Sequence, residues 1–263
     1  MNQRPTYFSV HWIPYAGNKS PTHRVLVLLD IQQTTISHAA LLELLSLQYE
    51  VVCLEMTNQS SKSGVFHWDP SLPELKYELA QIGEDITSVH CCIAQGFAAT
   101  LLQYIPVSRV KDILGNPTLP SKDIRFIQLL SRFLWSSTHT SQWFTRLIET
   151  SWKEQLQWPL QGSAPWVSRL PTEQDQYTGT ITNGTWKQIF RRILDTHEQA
   201  NPMNIIVFLG SESSVISSTS PSNLHCYYSS STVRYRVFCG LRQELLLNEV
   251  VQRDILQVCE ELL

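Results

Sequence analysis

The stretch His90–Leu102, "HCCIAQGFAATLL", decides how this chain is read. An apolar run enters a tight turn with Gly96 at its middle, and a helix-forming run leaves it. Strand, sharp turn and helix make the shape of an elbow that carries a nucleophile at its tip. The tip here reads Ala94-Gln95-Gly96-Phe97-Ala98, without serine or cysteine. The turn is present and the nucleophile is not.

Working outward, the first half alternates strand and helix signals. "RVLVLLD" (Arg24–Asp30) is a short apolar run bounded by Pro21 and a polar turn, and it predicts a buried strand. "HAALLELLSL" (His38–Leu47) is helical, with Ser37 placed as N-cap. "YEVVCLE" (Tyr49–Glu55) is the next strand, and "NQSSKSG" (Asn58–Gly64) is a loop. Leu72, Leu75, Leu79 and Ile82 recur at helical spacing. After the elbow helix, "VKDILGN" is a further strand. Short connections and repeated β-then-α order imply a doubly wound, mostly parallel sheet of about seven or eight strands.

The alternation breaks after Pro117, and no good strand is predicted from there to about Pro202. "IRFIQLLSRFLW" (Ile124–Trp135), "SQWFTRLIETSWKEQL" (Ser141–Leu156) and "TWKQIFRRIL" (Thr185–Leu194) read as helices. Six of the eight tryptophans fall in this segment, so it has aromatics for a core of its own or for a pocket wall. "NIIVFLG" (Asn204–Gly210) and "TVRYRVF" (Thr232–Phe238) then resume the sheet, and Asn248–Leu263 is a closing amphipathic helix. The expected organisation is an α/β core in two parts, residues 1–116 and 203–263, with a helical cap inserted at 117–202.

A chain of 263 residues suits one large α/β domain, since single domains run to about 250 residues. With 20 basic and 23 acidic residues, the formal charge of −3 gives no electrostatic reason to expect nucleic acid or an anionic membrane. No apolar run approaches the roughly 18 residues of a membrane-spanning helix. Met1–Pro14 lacks the basic-then-apolar order of a signal peptide, so a cytoplasmic, reducing location is expected. Cys53, Cys91, Cys92, Cys239 and Cys259 lie in apolar patterns and Cys226 beside two tyrosines, with no C-x-x-C pair. They read as small buried hydrophobes. No metal and no cofactor is expected.

At this point the chain resembles the α/β-hydrolases of the monoacylglycerol lipase and lysophospholipase type, also called serine aminopeptidase-like hydrolases. "VFCGLRQELLLNEVVQRDIL" resembles that family's Y-x-G-x-R-H-E-x-x-N-E…R-x-x-V signature, and "WVSRLPTEQDQYTG" its W-L-S-R-D-P…Y stretch. "LLDIQQ" stands where the family has a His-Gly oxyanion strand, and "EMTNQSSKSG" where it has an Asp-x-R-G-x-G-x-S-like loop. The resemblance covers nearly the whole chain.

The same correspondence places the family's serine on Gly96, its acid on Ser213 and its histidine on Gln243. It implies that these three lie within about 12 Å of one another, given triad hydrogen bonds and side-chain lengths. None of them can do the family's chemistry. Glycine has no attacking group, glutamine takes up no proton near neutral pH, and serine brings no charge to an imidazolium. Asp30 stands for the oxyanion-strand histidine, where a carboxylate opposes an oxyanion. What the resemblance leaves is backbone: the N–H groups of Phe97 and Ile31 as oxyanion-hole donors. With Asp30 and Gln95 beside them, these form a candidate ligand-binding set. Cys92, Glu212, His11, His67, His90 and His225 offer no replacement pairing of nucleophile and base in the sequence.

The function expected is therefore that of a catalytically inactive hydrolase-like protein. It would act by binding a small apolar or acyl ligand, or a protein partner. The alternatives are an active ester or lipid hydrolase with an atypical site, and a structural subunit of a larger assembly.

Overall fold

The computed structural model describes residues 6–18, 21, 23–31, 33–59, 64–86, 89–108, 110–117, 157–159, 177–182, 185, 188–189, 192, 204–211, 232–241 and 245–261. Ten strands lie within them: β1 (Phe8–Ile13), β2 (Arg24–Leu28), β3 (Glu50–Met56), β4 (Gly64–Phe66), β5 (Cys91–Gln95), β6 (Lys111–Gly115), β7 (Gln157–Pro159), β8 (Tyr177–Thr182), β9 (Asn204–Gly210) and β10 (Thr232–Phe238). The helices are α1 (Ala39–Ser46), α2 (Leu72–Ile86), α3 (Ala98–Leu101) and α4 (Glu249–Glu260), with 3-10 turns at Leu102–Tyr104 and Leu245–Leu247.

Seven strands make one sheet in the order β1-β3-β2-β5-β6-β9-β10. Every neighbouring pair is parallel except β1 with β3. The mostly parallel, doubly wound sheet expected from the sequence is thus present. A second sheet, β4-β8-β7, has three short strands. Two of them, β7 and β8, fall between residues 117 and 202, where no strand was expected; three- and six-residue strands carry too little apolar alternation to read. In the same segment Thr185, Gln188, Ile189 and Arg192 are helical and buried, at i, i+3, i+4 and i+7 of the helix expected there. The expected helices at 124–135 and 141–156 lie outside the described residues, as does most of the proposed cap.

The central strands are apolar on both faces because both faces are covered. Leu26, Leu28, Val52, Leu54, Cys92 and Ala94 join Leu75, Leu79 and Ile82 of α2 in one core layer. Val25, Val27, Val51, Cys53, Cys91 and Ile93 join Leu41 and Leu45 of α1 and Val251, Ile255 and Val258 of α4 in the other. Successive strand residues alternate between these layers, as the two-residue period requires. Cys53, Cys91, Cys92 and Cys259 are buried free thiols as expected, whereas Cys239 is exposed just past the end of edge strand β10. An edge strand has no second neighbour to cover its end.

A polar contact ties α4 to this frame. Lys111 is buried, and its Nζ donates to the Val258 carbonyl in the last turn of α4, satisfying one of the carbonyls a helix end leaves unpaired. α1 begins after His38 rather than after Ser37, because the Ser37 hydroxyl is engaged upstream: it donates to the Thr34 carbonyl at 2.7 Å and accepts the Thr34 N–H at 2.9 Å. His38 is buried, which lowers its imidazole from its ordinary 6.5 to about 4. Between these values the unfolded chain binds the extra proton and the folded chain does not. Stability is therefore retained above pH 6.5 and lost as the pH falls through the window. The expected loss is about 3 kcal/mol by pH 4 from this group. Urea unfolding at pH 7, 5.5 and 4 checks it, and His38→Phe should flatten that part of the slope.

Candidate functional site

Strand order places the site. From β2 the chain crosses to β3 on one side, and later to β5 on the other side of β2. In open α/β sheets, ligands bind at the carboxyl ends of the strands where the order reverses in this way. Asp30 and Ile31 follow β2, and Gly96 and Phe97 follow β5, so the sequence-predicted residues meet at this switch point.

Gly96 has φ +57°, the left-handed conformation. Its N–H donates to the Gly115 carbonyl at 2.9 Å, which anchors the turn to β6. Phe97 caps α3 and is buried edge-on against Trp68 at 5.9 Å. The strained tip geometry of an elbow is therefore present, taken by the one residue that pays no steric penalty there. Gly96→Ala is expected to destabilise the fold by about 1–2 kcal/mol from the left-handed backbone alone. Denaturant unfolding of that variant reads the cost directly.

Asp30 is buried just past the end of β2. Its Oδ1 accepts the Ile31 N–H at 2.9 Å. Gln33 completes a closed loop: its Oε1 accepts the Asp30 N–H at 2.9 Å, and its own N–H donates to the Asp30 carbonyl at 3.0 Å. The Ile31 donor proposed for an oxyanion hole thus already holds a carboxyl oxygen of its own chain. Sequence reasoning found Asp30 but missed Gln33, whose partner appears only once the turn is formed.

Gln95 turns to the C-terminal part of the chain. Its Oε1 accepts the Leu246 N–H at 3.1 Å, and the Leu246 carbonyl accepts from Gln252 Nε2 at 2.8 Å. Asn116, at φ +39°, accepts the Gly210 N–H on Oδ1 at 3.0 Å and joins the carboxyl ends of β6 and β9. Ser213 and Gln243 themselves lie outside the described residues, as do Glu212, His225 and Cys226. Asp30, Ile31, Gln95 and Phe97 are each 0% exposed.

The remaining candidates do not gather here. His90 sits at the opposite end of β5, stacked at 4.6 Å on His23, and burial, then His23 and Lys111, hold its imidazole below the ordinary range. Cys92 is buried within β5. His11 lies on β1 with its Nε2 3.7 Å from Glu55. Among the described residues, no group of three His, Cys, Asp or Glu is placed to hold a metal ion. Nor is any helix long and apolar enough to cross a membrane.

A support that the sequence reading passed over is Trp68, outside the tryptophan-rich segment. It packs edge-on against Tyr7, Phe8 and Phe97, its Nε1 donates to the Tyr7 carbonyl at 3.1 Å, and its N–H donates to Thr185 Oγ1 at 2.6 Å. One ring thus braces β1, the elbow and the helical residue Thr185 together.

No family model and no curated protein sequence matches the chain. Solved structures do. A soluble variant of monoglyceride lipase from Saccharomyces cerevisiae, in complex with a substrate analogue, aligns over 97% of this chain and 91% of its own, with TM-score 0.59 and 12% identity. The monoacylglycerol lipase of Paleococcus ferrophilus aligns over 97% and 98%, with TM-score 0.59 and 13% identity. A lipase in its open form aligns over 97% and 94%, with TM-score 0.64 and 10% identity. With the strand order, the elbow after β5 and these neighbours, the chain has the α/β-hydrolase fold.

Proposed function

We propose that this chain is a non-catalytic α/β-hydrolase-like protein that acts by binding, with a protein as its partner. The observation that carries the reading is Gly96: the elbow tip keeps the left-handed backbone and has no atom that can attack. The Asp30–Ile31 contact supports it, because acyl transfer needs that donor for developing negative charge and a carboxyl oxygen already fills it. Asp30, Ile31, Gln95 and Phe97 are fully buried, and Asp30, Ile31 and Gln95 are hydrogen-bonded within the chain, which favours a surface partner over a small apolar or acyl ligand at these positions. The proposed losses at Ser213 and Gln243 rest on the sequence resemblance.

The test is made on the native chain. No labelling by a fluorophosphonate and no turnover of short p-nitrophenyl esters or lysophospholipid above a heat-killed control is expected. Turnover abolished by one nearby substitution, such as Cys92→Ala, would overturn the reading.

A further inference from the structure

Among the described residues, no strand pairs with β1 on the side away from β3. β1 ends the sheet, with β3 as its neighbour. The Thr57 N–H donates to the Tyr7 carbonyl at 2.9 Å, and Phe8 is in register with Met56. By the antiparallel alternation, Phe8, Val10 and Trp12 then direct their backbone groups away from β3. Glu78 of α2 already accepts the Phe8 N–H at 2.9 Å. Val10 and Trp12 remain beyond it, 40% and 48% exposed. Edge strands are ordinarily guarded by charges or proline. β10 carries Arg234 and Arg236, but β1 reads Phe-Ser-Val-His-Trp-Ile, with neither proline nor an acidic, lysine or arginine side chain.

Just before the start of β1 lies a groove of about 650 Å³, lined by Thr6 and Tyr7 and, on α2, by Pro73, Glu74, Tyr77, Glu78 and Gln81. Residues 74, 77, 78 and 81 form one helical face, and Glu84 and Asp85, both exposed, continue it. Arg24 marks the far end: its Nη1 donates to the Ile86 carbonyl at 2.5 Å, and its guanidinium lies 5.1 Å from the Trp12 ring centre. α2 therefore runs alongside β1, from Glu78 at Phe8 to Ile86 near Trp12. The α2 face that includes Glu78 also carries Glu74 and Asp85, with Glu84 exposed at its margin, and no lysine or arginine, since Lys76 turns away over the Tyr104 ring at 5.8 Å.

We infer that the β1 edge and the acidic face of α2 bind an extended, basic segment of a partner protein. The segment adds as a strand against Val10 and Trp12. Its backbone meets the outward N–H and C=O groups, and its lysine or arginine side chains meet the α2 carboxylates. This inference rests on the protein-partner reading above and names the chemistry of that partner.

The experiment uses the full chain and a fluorescein-labelled peptide of alternating arginine and valine, six residues long, read by anisotropy. Two controls are its glutamate–valine analogue and an analogue with proline at the centre. The basic peptide is expected to bind at least tenfold more tightly than either, and more weakly as salt rises. The paired change Val10→Lys and Trp12→Lys should lower affinity at least tenfold, and so should Glu84→Lys with Asp85→Lys. Val237→Lys on the opposite edge should leave it unchanged, and circular dichroism confirms that each variant is folded. Equal affinity for basic and acidic peptides, indifference to the β1 changes, or self-association of the native chain through β1 would each overturn the inference. Ester turnover by the native chain overturns the non-catalytic reading whatever the peptide does. A hydrolytically silent chain with no peptide affinity overturns only this inference.

Discussion

Changing Gly96 to Ser, Ser213 to Asp and Gln243 to His together is expected to leave ester hydrolysis at the native baseline, and adding Asp30→Ala is expected to raise it at least about 100-fold. The triple change restores the nucleophile, base and acid that the resemblance assigns. It leaves the Ile31 N–H bonded to Asp30 Oδ1 at 2.9 Å. A developing oxyanion then meets a filled donor and a carboxyl oxygen. One oxyanion-hole donor is worth about 10²–10³ in kcat, which sets the scale of the last step. Restoring any single position should do nothing measurable, because triad members act as a unit worth about 10⁶-fold and are grossly non-additive. Turnover of p-nitrophenyl butyrate by the native, triple and quadruple variants decides the matter. A triple variant as active as the quadruple would show that Asp30 is not the obstacle.

Trp68→Ala is expected to cost about 4–5 kcal/mol of stability, near the top of the range for buried aromatic truncation. The ring is fully buried and makes three edge-to-face contacts, with Phe97 at 5.9 Å, Phe8 at 6.0 Å and Tyr7 at 6.5 Å. The lost indole N–H bond adds little, since the Tyr7 carbonyl still accepts the Thr57 N–H at 2.9 Å. The cost is therefore cavity and lost packing. Domains have only about 5–15 kcal/mol in total, so the variant should unfold at much lower urea. Trp68→Phe should recover more than half of the loss. Far-UV circular dichroism at increasing urea measures both without relying on tryptophan fluorescence.

These expectations differ in origin. Apolar runs such as Arg24–Asp30 and Asn204–Gly210 carry the buried strands in their composition, because a strand covered on both faces needs no polar alternation. The elbow was legible at Gly96 for a related reason: an apolar strand stops, a glycine intervenes and a helix-forming run begins within a few residues. Short β7 and β8 were not legible, since three or six residues held by partners far along the chain leave no periodic signal. His38 as the N-cap of α1 was hidden too, because Ser37 has the better capping side chain until Thr34 engages its hydroxyl.

By itself, then, the sequence determined the α/β order, the identity of the residue at the elbow and the absence of a nucleophile there. Each of these is a local property of consecutive residues. Only the tertiary structure decided that β2 and β5 lie side by side, so that Asp30 and Gly96 follow neighbouring strand ends, and that, among the described residues, β1 ends the sheet, with Glu78 of α2 bonded at its start. Strand order, a Trp68 contact with Thr185 across 117 positions and a Gln95 bond to Leu246 across 151 depend on how distant segments pack. Packing of that kind is set by the joint burial of many side chains and leaves no mark on any one stretch of chain.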